Sequence, residues 1–309
     1  MIRSTRIRIA AAVVTAAMVL ATAAPAFAAV SLKISGSTTL FPLASKWASV
    51  YKSSHAGSSI TVVGGGSGKG ISDVKAGSVG IGMSSRMKQS ADGSVVFTPV
   101  ARDALVITIS QKLYKKYPNY IYRLSALQVQ KIFRGQITNW KQINSHLPSH
   151  SINLVGRTGS SGTYTYFKQM FMTSGTVDGL IGSTSYKQSS RTKTYASNGI
   201  VRSTVANDMY AIGYLSEAYV NSTVKVLNLP APAHYYDSDY VVHTTPASLV
   251  GKWIVPSTAT ALNGTYKYVR PLYFVTASTP TGDAKTFIDW CKSSTGQSYV
   301  AGQHFLRMD

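Results

Sequence analysis

Three loops rich in glycine, serine and threonine hold the residues of this sequence best suited to chemistry. Each follows a short apolar run and precedes a segment with helical spacing, at residues 35–39, 64–70 and 156–163. Arg86 and Arg157 lie beside or within these loops. A helix N-terminus offers unpaired N–H groups and a partial positive charge, and hydroxyl and guanidinium groups add further donors. Together these residues predict a site for a small oxyanion.

Other chemistries fit these residues less well. A single loop of this kind is more often a plain helix cap, so the anion site is predicted from the three loops together. Lys69 is followed by Gly70 rather than Ser or Thr, which excludes a Walker A loop. A nucleophile elbow is also excluded, because Lys69 occupies its last position. His146 and His150 are four residues apart, but a proline between them argues against a helical metal pair. Surface histidines are the simpler interpretation.

The loops need a scaffold that brings them together, and the surrounding pattern supplies one. Strands alternate with helical segments, which predicts an α/β architecture with mainly parallel sheets and ligands at the carboxyl ends of the strands. Strands are predicted at residues 30–34, 60–63, 79–83, 104–109, 152–155, 211–215 and 270–276. Helices are predicted at 125–133, 199–207, 282–291 and 295–301, with Cys291 on an apolar helix face as a buried thiol. Residues 230–265 predict loops with short strands.

The first residues have the pattern of a secretory signal peptide. Arg3, Arg6 and Arg8 precede an apolar stretch, and Ala26-Phe27-Ala28 places small residues at the cleavage positions. The apolar stretch is short for a membrane span, which argues against an anchor. We therefore expect cleavage after Ala28 and export to a periplasm or the cell exterior.

The charge of the chain is its most unusual bulk property. Thirty-one basic and 11 acidic residues give +20, and removal of residues 1–28 leaves 28 − 11 = +17. A single cysteine excludes an intrachain disulfide and a cysteine-rich zinc site. Export argues against a nucleic-acid partner, although Lys112, Lys115 and Lys116 alternate with Tyr114 and Tyr117. A solvated helix face is the simpler reading of that stretch.

Seven motifs occur along the chain in a fixed order. They are ISGSTT at residues 34–39, GGGSGKGI at 64–71, SR at 85–86, IFRGQITNW at 132–140, the 156–164 loop, AIGY at 211–214 and RPLY at 270–273. With these motifs in this order, the chain resembles the periplasmic phosphate-binding proteins of the high-affinity phosphate ABC transporter. The resemblance covers nearly all of the mature chain. It implies a two-lobed type 2 periplasmic-binding-protein fold, with lobes at 29–108 plus 268–309 and at 109–267, joined by crossover strands.

The resemblance also implies the ligands of a phosphate ion. They would be Ser37, Thr38, Thr39, Ser67, Gly68, Arg86, Arg157, Ser161, Gly162 and Thr163. Neither a cofactor nor a catalytic residue is implied.

Two positions depart from parts of the family. One branch has an aspartate where Arg86 stands here, and Asp103 fits the place of the aspartate that other branches carry in the next strand. We expect Asp103 to orient Arg86 or to accept a proton from the ligand, and a local ion pair with Arg102 is the alternative. Gly159 replaces an acid found in many members, so Arg157 is expected to lack a local carboxylate partner.

The resemblance implies capture of inorganic phosphate and its delivery to a membrane ABC permease, by a monomer that is not an enzyme and binds no nucleic acid. Two other function classes stay open. A protein of the same fold could bind sulfate, molybdate or tungstate instead. A secreted phosphate-ester hydrolase would need a nucleophile–base pair or a metal cluster, and the sequence singles out neither.

Overall fold

The computed structural model describes residues 28–173, 186–236 and 242–308. Apart from Ala28, the predicted signal peptide lies outside the described residues. Among the helices that are described, none combines the length and apolar character needed to cross a membrane.

The described residues form a mixed α/β structure. Its strands are β1 (Ser31–Gly36), β2 (Ser59–Gly64), β3 (Ile81–Ser84), β4 (Val96–Ser110), β5 (Asn153–Arg157), β6 (Lys193–Tyr195), β7 (Ala211–Ser216), β8 (Val224–Val226), β9 (Leu229–Pro230), β10 (His234–Tyr236), β11 (Val242–Thr244), β12 (Trp253–Ile254) and β13 (Val269–Thr276). Its helices are α1 (Phe41–Ser54), α2 (Ser67–Lys75), α3 (Gln111–Lys116), α4 (Ala126–Phe133), α5 (Gly162–Phe171), α6 (Asn198–Asn207), α7 (Thr258–Leu262), α8 (Gly282–Lys292) and α9 (Ser294–Ser298).

The main sheet runs through both lobes in the order β2-β1-β3-β13-β4-β7-β5-β6, with β8 paired to β4. The outer strands pair in parallel, as predicted, but β13 and β4 pair antiparallel with their neighbours. The sheet is therefore mixed, and the expectation of mainly parallel sheets is wrong for its centre. The sequence pattern does not indicate the antiparallel pairing, because β13 comes from the far end of the chain and inserts between β3 and β4.

Strand β4 links the two lobes. Its residues up to Ala104 pair with β13, whereas those from Leu105 onward pair with β7 and β8. We call the part built on β1, β2, β3 and β13 the first lobe, and the part built on β5, β6 and β7 the second lobe. The boundaries predicted at 108/109 and 267/268 stay a prediction.

Each lobe has its own apolar core. The first packs α1 and α8 against β1 and β13, and includes Trp47, Phe274 and Phe287. The second packs α4 and α5 against β4 and β7 around Phe133 and Phe167. Cys291 is fully buried in the first core, as predicted, and this burial raises the pKa of its thiol well above its ordinary value.

Several serines start the helices that the sequence pattern predicts. The Ser125 hydroxyl accepts the Gln128 N–H at 3.1 Å, and Ser161 and Ser197 cap α5 and α6 in the same way. After α4, Gly135 has a φ of +76°, a backbone region that favours glycine. These local signals explain why the predicted helices and the observed ones nearly coincide.

The remaining predictions concern surface features. Lys112, Lys115 and Lys116 are exposed on or at the end of α3, as a solvated helix face requires. His146 and His150 lie outside the α-helices and stack on aromatic rings. The described residues between 230 and 265 form short strands and loops, as predicted, and also the helix α7, which was not predicted.

Candidate anion-binding cleft

The first loop turns sharply after β1 and presents two threonines to the second lobe. Gly36 has a φ of +131°, and a Cβ there would lie 2.4 Å from the Met83 carbonyl oxygen, so only glycine fits. The Ser37 hydroxyl accepts the Thr39 N–H at 3.2 Å and stabilises the turn. Thr38 and Thr39 are thereby placed with hydroxyls that reach across the cleft.

The second loop runs into the first turn of α2, which contains Ser67 and Gly68, and contacts the second lobe through its backbone. The Gly68 N–H donates to the Ser160 carbonyl oxygen at 3.0 Å, a bond between the lobes. The Ser67 hydroxyl accepts the Ser85 N–H at 3.0 Å and ties the loop to the end of β3. Both predicted residues of this loop therefore lie at the cleft.

The third loop precedes α5 and lies against the first two. The Ser161 hydroxyl accepts the Thr163 N–H at 3.1 Å, which caps the helix. A Cβ on Gly162 would lie 2.5 Å from the hydroxyl oxygens of both Ser67 and Ser85. Glycine at this position therefore allows the lobes to approach each other this closely.

Arg157, at the end of β5, is 1% exposed and reaches from the second lobe to the first. Its Nη2 donates to Thr38 Oγ1 at 2.8 Å, and its Nη1 donates to Asn198 Oδ1 at 2.6 Å. The hydrogen-bond acceptors of its guanidinium among the described residues are all uncharged. Burial, with the nearby charge of Arg270, lowers its pKa to about 10. Arg157 therefore uses its donors on neutral groups, and the expectation that it has no carboxylate partner stays a prediction.

Two threonines and a second arginine meet at the centre of the cleft. Thr39 Oγ1 and Thr163 Oγ1 are 3.0 Å apart, and Arg270 Nη2 donates to Thr163 Oγ1 at 3.0 Å. Arg270 lies on β13 and is fully buried. Its Nη1 has no hydrogen-bond partner among the described residues. The cleft therefore contains an unsatisfied cationic donor beside two hydroxyls.

Asp103 does not contact Arg86, and the expectation that it orients Arg86 is wrong. Its Oδ2 accepts from Arg270 Nη2 at 2.8 Å, and its Oδ1 accepts from the Ser216 hydroxyl at 2.5 Å. Complete burial raises the pKa of Asp103, and the bonds from Arg270 and Ser216 oppose that rise. Asp103 therefore holds the guanidinium of Arg270 in place.

Arg86 is paired with Asp92, and its predicted place among the ligands stays a prediction. Its Nη1 and Nη2 donate to the two carboxylate oxygens of Asp92 at 2.7 and 2.8 Å, and Nη1 also donates to the Met87 carbonyl oxygen. A bidentate pair of this kind uses the donors that a ligand would need. The charged role expected of Arg86 is better filled by Arg270.

Sequence reasoning missed several contributors to the cleft. Asn198 bridges the lobes by accepting from Arg157 and donating its Nδ2 to Thr39 Oγ1 at 3.0 Å. The Tyr219 hydroxyl donates to the Thr38 carbonyl oxygen at 2.5 Å. Arg270 is the first residue of the RPLY motif, yet nothing in the linear sequence connects it to Thr163, 107 residues away.

The arrangement suits capture of an oxyanion by many donors. The centre contains two buried guanidinium groups, those of Arg157 and Arg270, and the buried carboxylate of Asp103 is bonded to Arg270, so an anion would offset the charge of Arg157. Within the described parts of the chain, no group of three or more His, Cys, Asp or Glu residues could hold a metal ion. The donor set is that of a binding site.

This two-lobed fold, with its donors on loops facing each other across a cleft, defines a class of solute-binding protein. Residues 21–295 match the family model of the PBP superfamily domain, and the chain belongs to that superfamily.

Among characterised relatives, the phosphate-binding protein PstS of Bacillus subtilis is 27% identical over 89% of this chain and 80% of its own length. PstS of Borreliella burgdorferi is 28% identical over 89% of both chains. A Clostridium perfringens protein with bound phosphate, described as a phosphate ABC transporter substrate-binding protein, has a TM-score of 0.72 at 25% identity and covers 90% of this chain and 100% of its own. An ABC-type phosphate transport receptor from Vibrio cholerae has a TM-score of 0.65 at 23% identity, with coverage of 90% and 100%.

Proposed function

We propose that this protein captures inorganic phosphate in the cleft between its lobes and delivers it to a membrane ABC permease. The observation that carries the proposal is the meeting of Thr39, Arg157, Thr163 and Arg270 in one buried hydrogen-bonded cluster. These residues come from three separate segments of the chain and from both lobes. The names of the relatives support phosphate as the ligand.

Charge supports an anionic ligand. Arg157 and Arg270 are buried close enough for their charges to interact, and only Arg270 is paired with a carboxylate. Burying an unneutralised guanidinium costs free energy, and an anion between the two arginines would recover part of it. Hydroxyl and backbone N–H groups would supply the remaining donors, so little additional charge is needed.

Capture requires the lobes to separate and close again. Thr39 and Thr163 now contact each other directly, so a tetrahedral ion would exchange that contact for bonds of its own to both hydroxyls. The hinge would lie where β4 passes between the lobes, because few residues there need to change their backbone angles. Binding would then convert contacts between the lobes into contacts bridged by the ion.

One observation keeps a second ligand in view. Phosphate at neutral pH carries a proton that sulfate lacks, and a site selective for phosphate needs an acceptor for it. Asp103 is the nearest carboxylate, but both its oxygens are already bonded to Arg270 and Ser216. If neither bond is exchanged on binding, the cleft would also accept sulfate or molybdate.

Calorimetry on residues 29–309 tests the proposal. We expect phosphate to bind in the cleft, and sulfate and molybdate to bind at least tenfold more weakly, about 1.4 kcal/mol. Tight binding of sulfate or molybdate without phosphate would refute the assignment. A phosphatase assay on the same sample tests the hydrolase alternative, for which we expect no turnover.

Export, a monomeric state and the absence of a nucleic-acid partner are parts of the same proposal. Export rests on the pattern of residues 1–28. A capture protein that shuttles to a permease needs neither a second copy of itself nor a nucleic-acid partner. N-terminal sequencing of the secreted protein tests the cleavage site, with Ala29 expected as the first residue. Light scattering tests the monomeric state, and a DNA-binding assay at several salt concentrations tests for a nucleic-acid partner.

A further inference from the structure

A second cavity borders Arg157 on the second lobe. It has a volume of about 500 Å³, which is far more than one tetrahedral ion occupies, and it is open to solvent. Helix α5, the segment 187–192 and β6 form its walls. We call it the basic pocket and define it by Arg157, Lys168, Lys187, Gln188 and Thr192.

The basic pocket is positively charged and has no acidic wall. Lys168 is half-buried on α5, with its Nζ 5.9 Å from the centre of the Tyr164 ring, and Lys187 is exposed. Among the described residues neither lysine forms an ion pair, and none of the residues that line the pocket is Asp or Glu. An anion that enters would therefore find two cations whose charge is not already neutralised.

The wall of the pocket also contains an unsatisfied polar atom and a connection to the cleft. Thr192 lines the pocket, and its Oγ1 is buried in the wall without a hydrogen-bond partner. Gln188 Nε2 donates to the Tyr214 hydroxyl at 3.3 Å, and that hydroxyl accepts the Arg157 N–H at 3.1 Å. The wall of the pocket is thus hydrogen-bonded to the strand residue whose guanidinium reaches Thr38 in the cleft.

We propose that the basic pocket binds a second small oxyanion, of the same chemistry as the ligand of the cleft and with lower affinity. The inference rests on the proposed function, which supplies the ligand. Affinity is lower because the pocket is open and its lysines are partly solvated, so water and salt screen their charges. An anion held there would lie beside Arg157, whose guanidinium reaches Thr38 in the cleft.

Equilibrium dialysis with radiolabelled phosphate tests this directly, with the concentration raised into the millimolar range at low ionic strength. Wild type is expected to bind two phosphate ions per chain. In Lys168→Glu/Lys187→Glu the second site should weaken by at least about tenfold while the first keeps its affinity. The matched control, Lys52→Glu/Lys75→Glu, changes the net charge equally at exposed positions of the first lobe and should keep both sites.

A second variant separates the pocket from general charge effects. Thr192→Val keeps the shape of the side chain, removes the unpaired hydroxyl and leaves the charge unchanged, and it should also weaken the second site. One phosphate ion per chain in wild type would overturn the inference, and so would a second site that survives Lys168→Glu/Lys187→Glu or disappears equally in the control. In the first of these results the cleft still binds phosphate, whereas absence of all binding would overturn the proposed function as well.

Discussion

Replacement of Gly162 by alanine should prevent the lobes from closing fully. The new Cβ would lie 2.5 Å from the Ser67 and Ser85 hydroxyl oxygens, which can rotate, and 2.7 Å from the Ser85 carbonyl carbon, which belongs to the backbone. Ordinary van der Waals contact begins near 3.4 Å, so the lobes must separate locally by 3.4 − 2.7 = 0.7 Å. The backbone bond between Gly68 and Ser160, now 3.0 Å, would lengthen to about 3.7 Å and be lost.

The cost of this separation follows from the bonds between the lobes. The Gly68–Ser160 bond joins neutral groups, and the Arg157–Thr38 bond involves a charge. Net contributions of about 1 kcal/mol for the neutral bond and about 2 kcal/mol for the charged one give about 1–3 kcal/mol, depending on whether one or both break. Phosphate affinity should therefore fall by about 5- to 140-fold.

Calorimetry and small-angle scattering together test this reasoning. The variant should bind phosphate weakly and show a smaller phosphate-induced decrease in radius of gyration than wild type. Gly159→Ala is the matched control in the same loop, because its Cβ would meet nothing within 4 Å and its φ is not in the left-handed region. A Gly162→Ala variant with the affinity of Gly159→Ala would refute the proposed closure at this contact.

Three further predictions concern the charged residues. Arg270→Lys keeps a positive charge beside Asp103 but loses the guanidinium group that reaches Thr163, so calorimetry should show phosphate affinity at least about tenfold lower. Arg86→Lys should change phosphate affinity less than about threefold. Equal losses would contradict the exchange of roles between the two arginines. Asp103→Asn should reduce the ratio of phosphate to sulfate affinity by about tenfold in competition titrations, and a preserved ratio would exclude Asp103 as the proton acceptor. Burial opposes ionisation of Asp92, but the bonds from Arg86 and the Gln89 N–H outweigh burial and lower the pKa of Asp92. The stability that this carboxylate contributes is therefore fully present above its unfolded pKa near 4. The difference in unfolding free energy between wild type and Asp92→Asn, measured by urea unfolding, should be constant above about pH 4 and shrink as pH falls through the depressed pKa of Asp92. A difference that grows on acidification would contradict the pairing of Asp92 with Arg86.

The local parts of the fold and site could be predicted from sequence because their signals are local. Ser125 and Ser161 precede helical runs as caps, and the glycines of the three loops mark the tight turns and close contacts. Arg157 was found because it lies inside such a loop. These features need only a few neighbouring residues to form.

The other parts depend on contacts between distant residues. Asp103 pairs with Arg270, 167 residues away, and the linear sequence offered Arg86 as a nearer partner. That pairing exists because β13 inserts next to β4, an antiparallel step that the repeated strand–loop–helix pattern does not indicate. The Arg86–Asp92 pair spans only six residues, so an acid shortly after the arginine was a usable signal.

The high positive charge is not explained by the cleft. The cleft uses two arginines and is otherwise built mainly of neutral donors, so the exposed surface carries most of the excess. We propose that the basic pocket gives part of that excess a specific role and that the remainder steers anions toward the cleft over long range.

The location of the bound ion tests the central claim most directly. Arsenate has the geometry and charge of phosphate, and anomalous diffraction from crystals of residues 29–309 grown with it would locate the arsenic atom. We predict the strongest peak between Thr39, Thr163, Arg157 and Arg270, with the two lobes bridged by the ion. A strongest peak beside Arg86, or one confined to the basic pocket with the cleft contacts unchanged, would contradict the account.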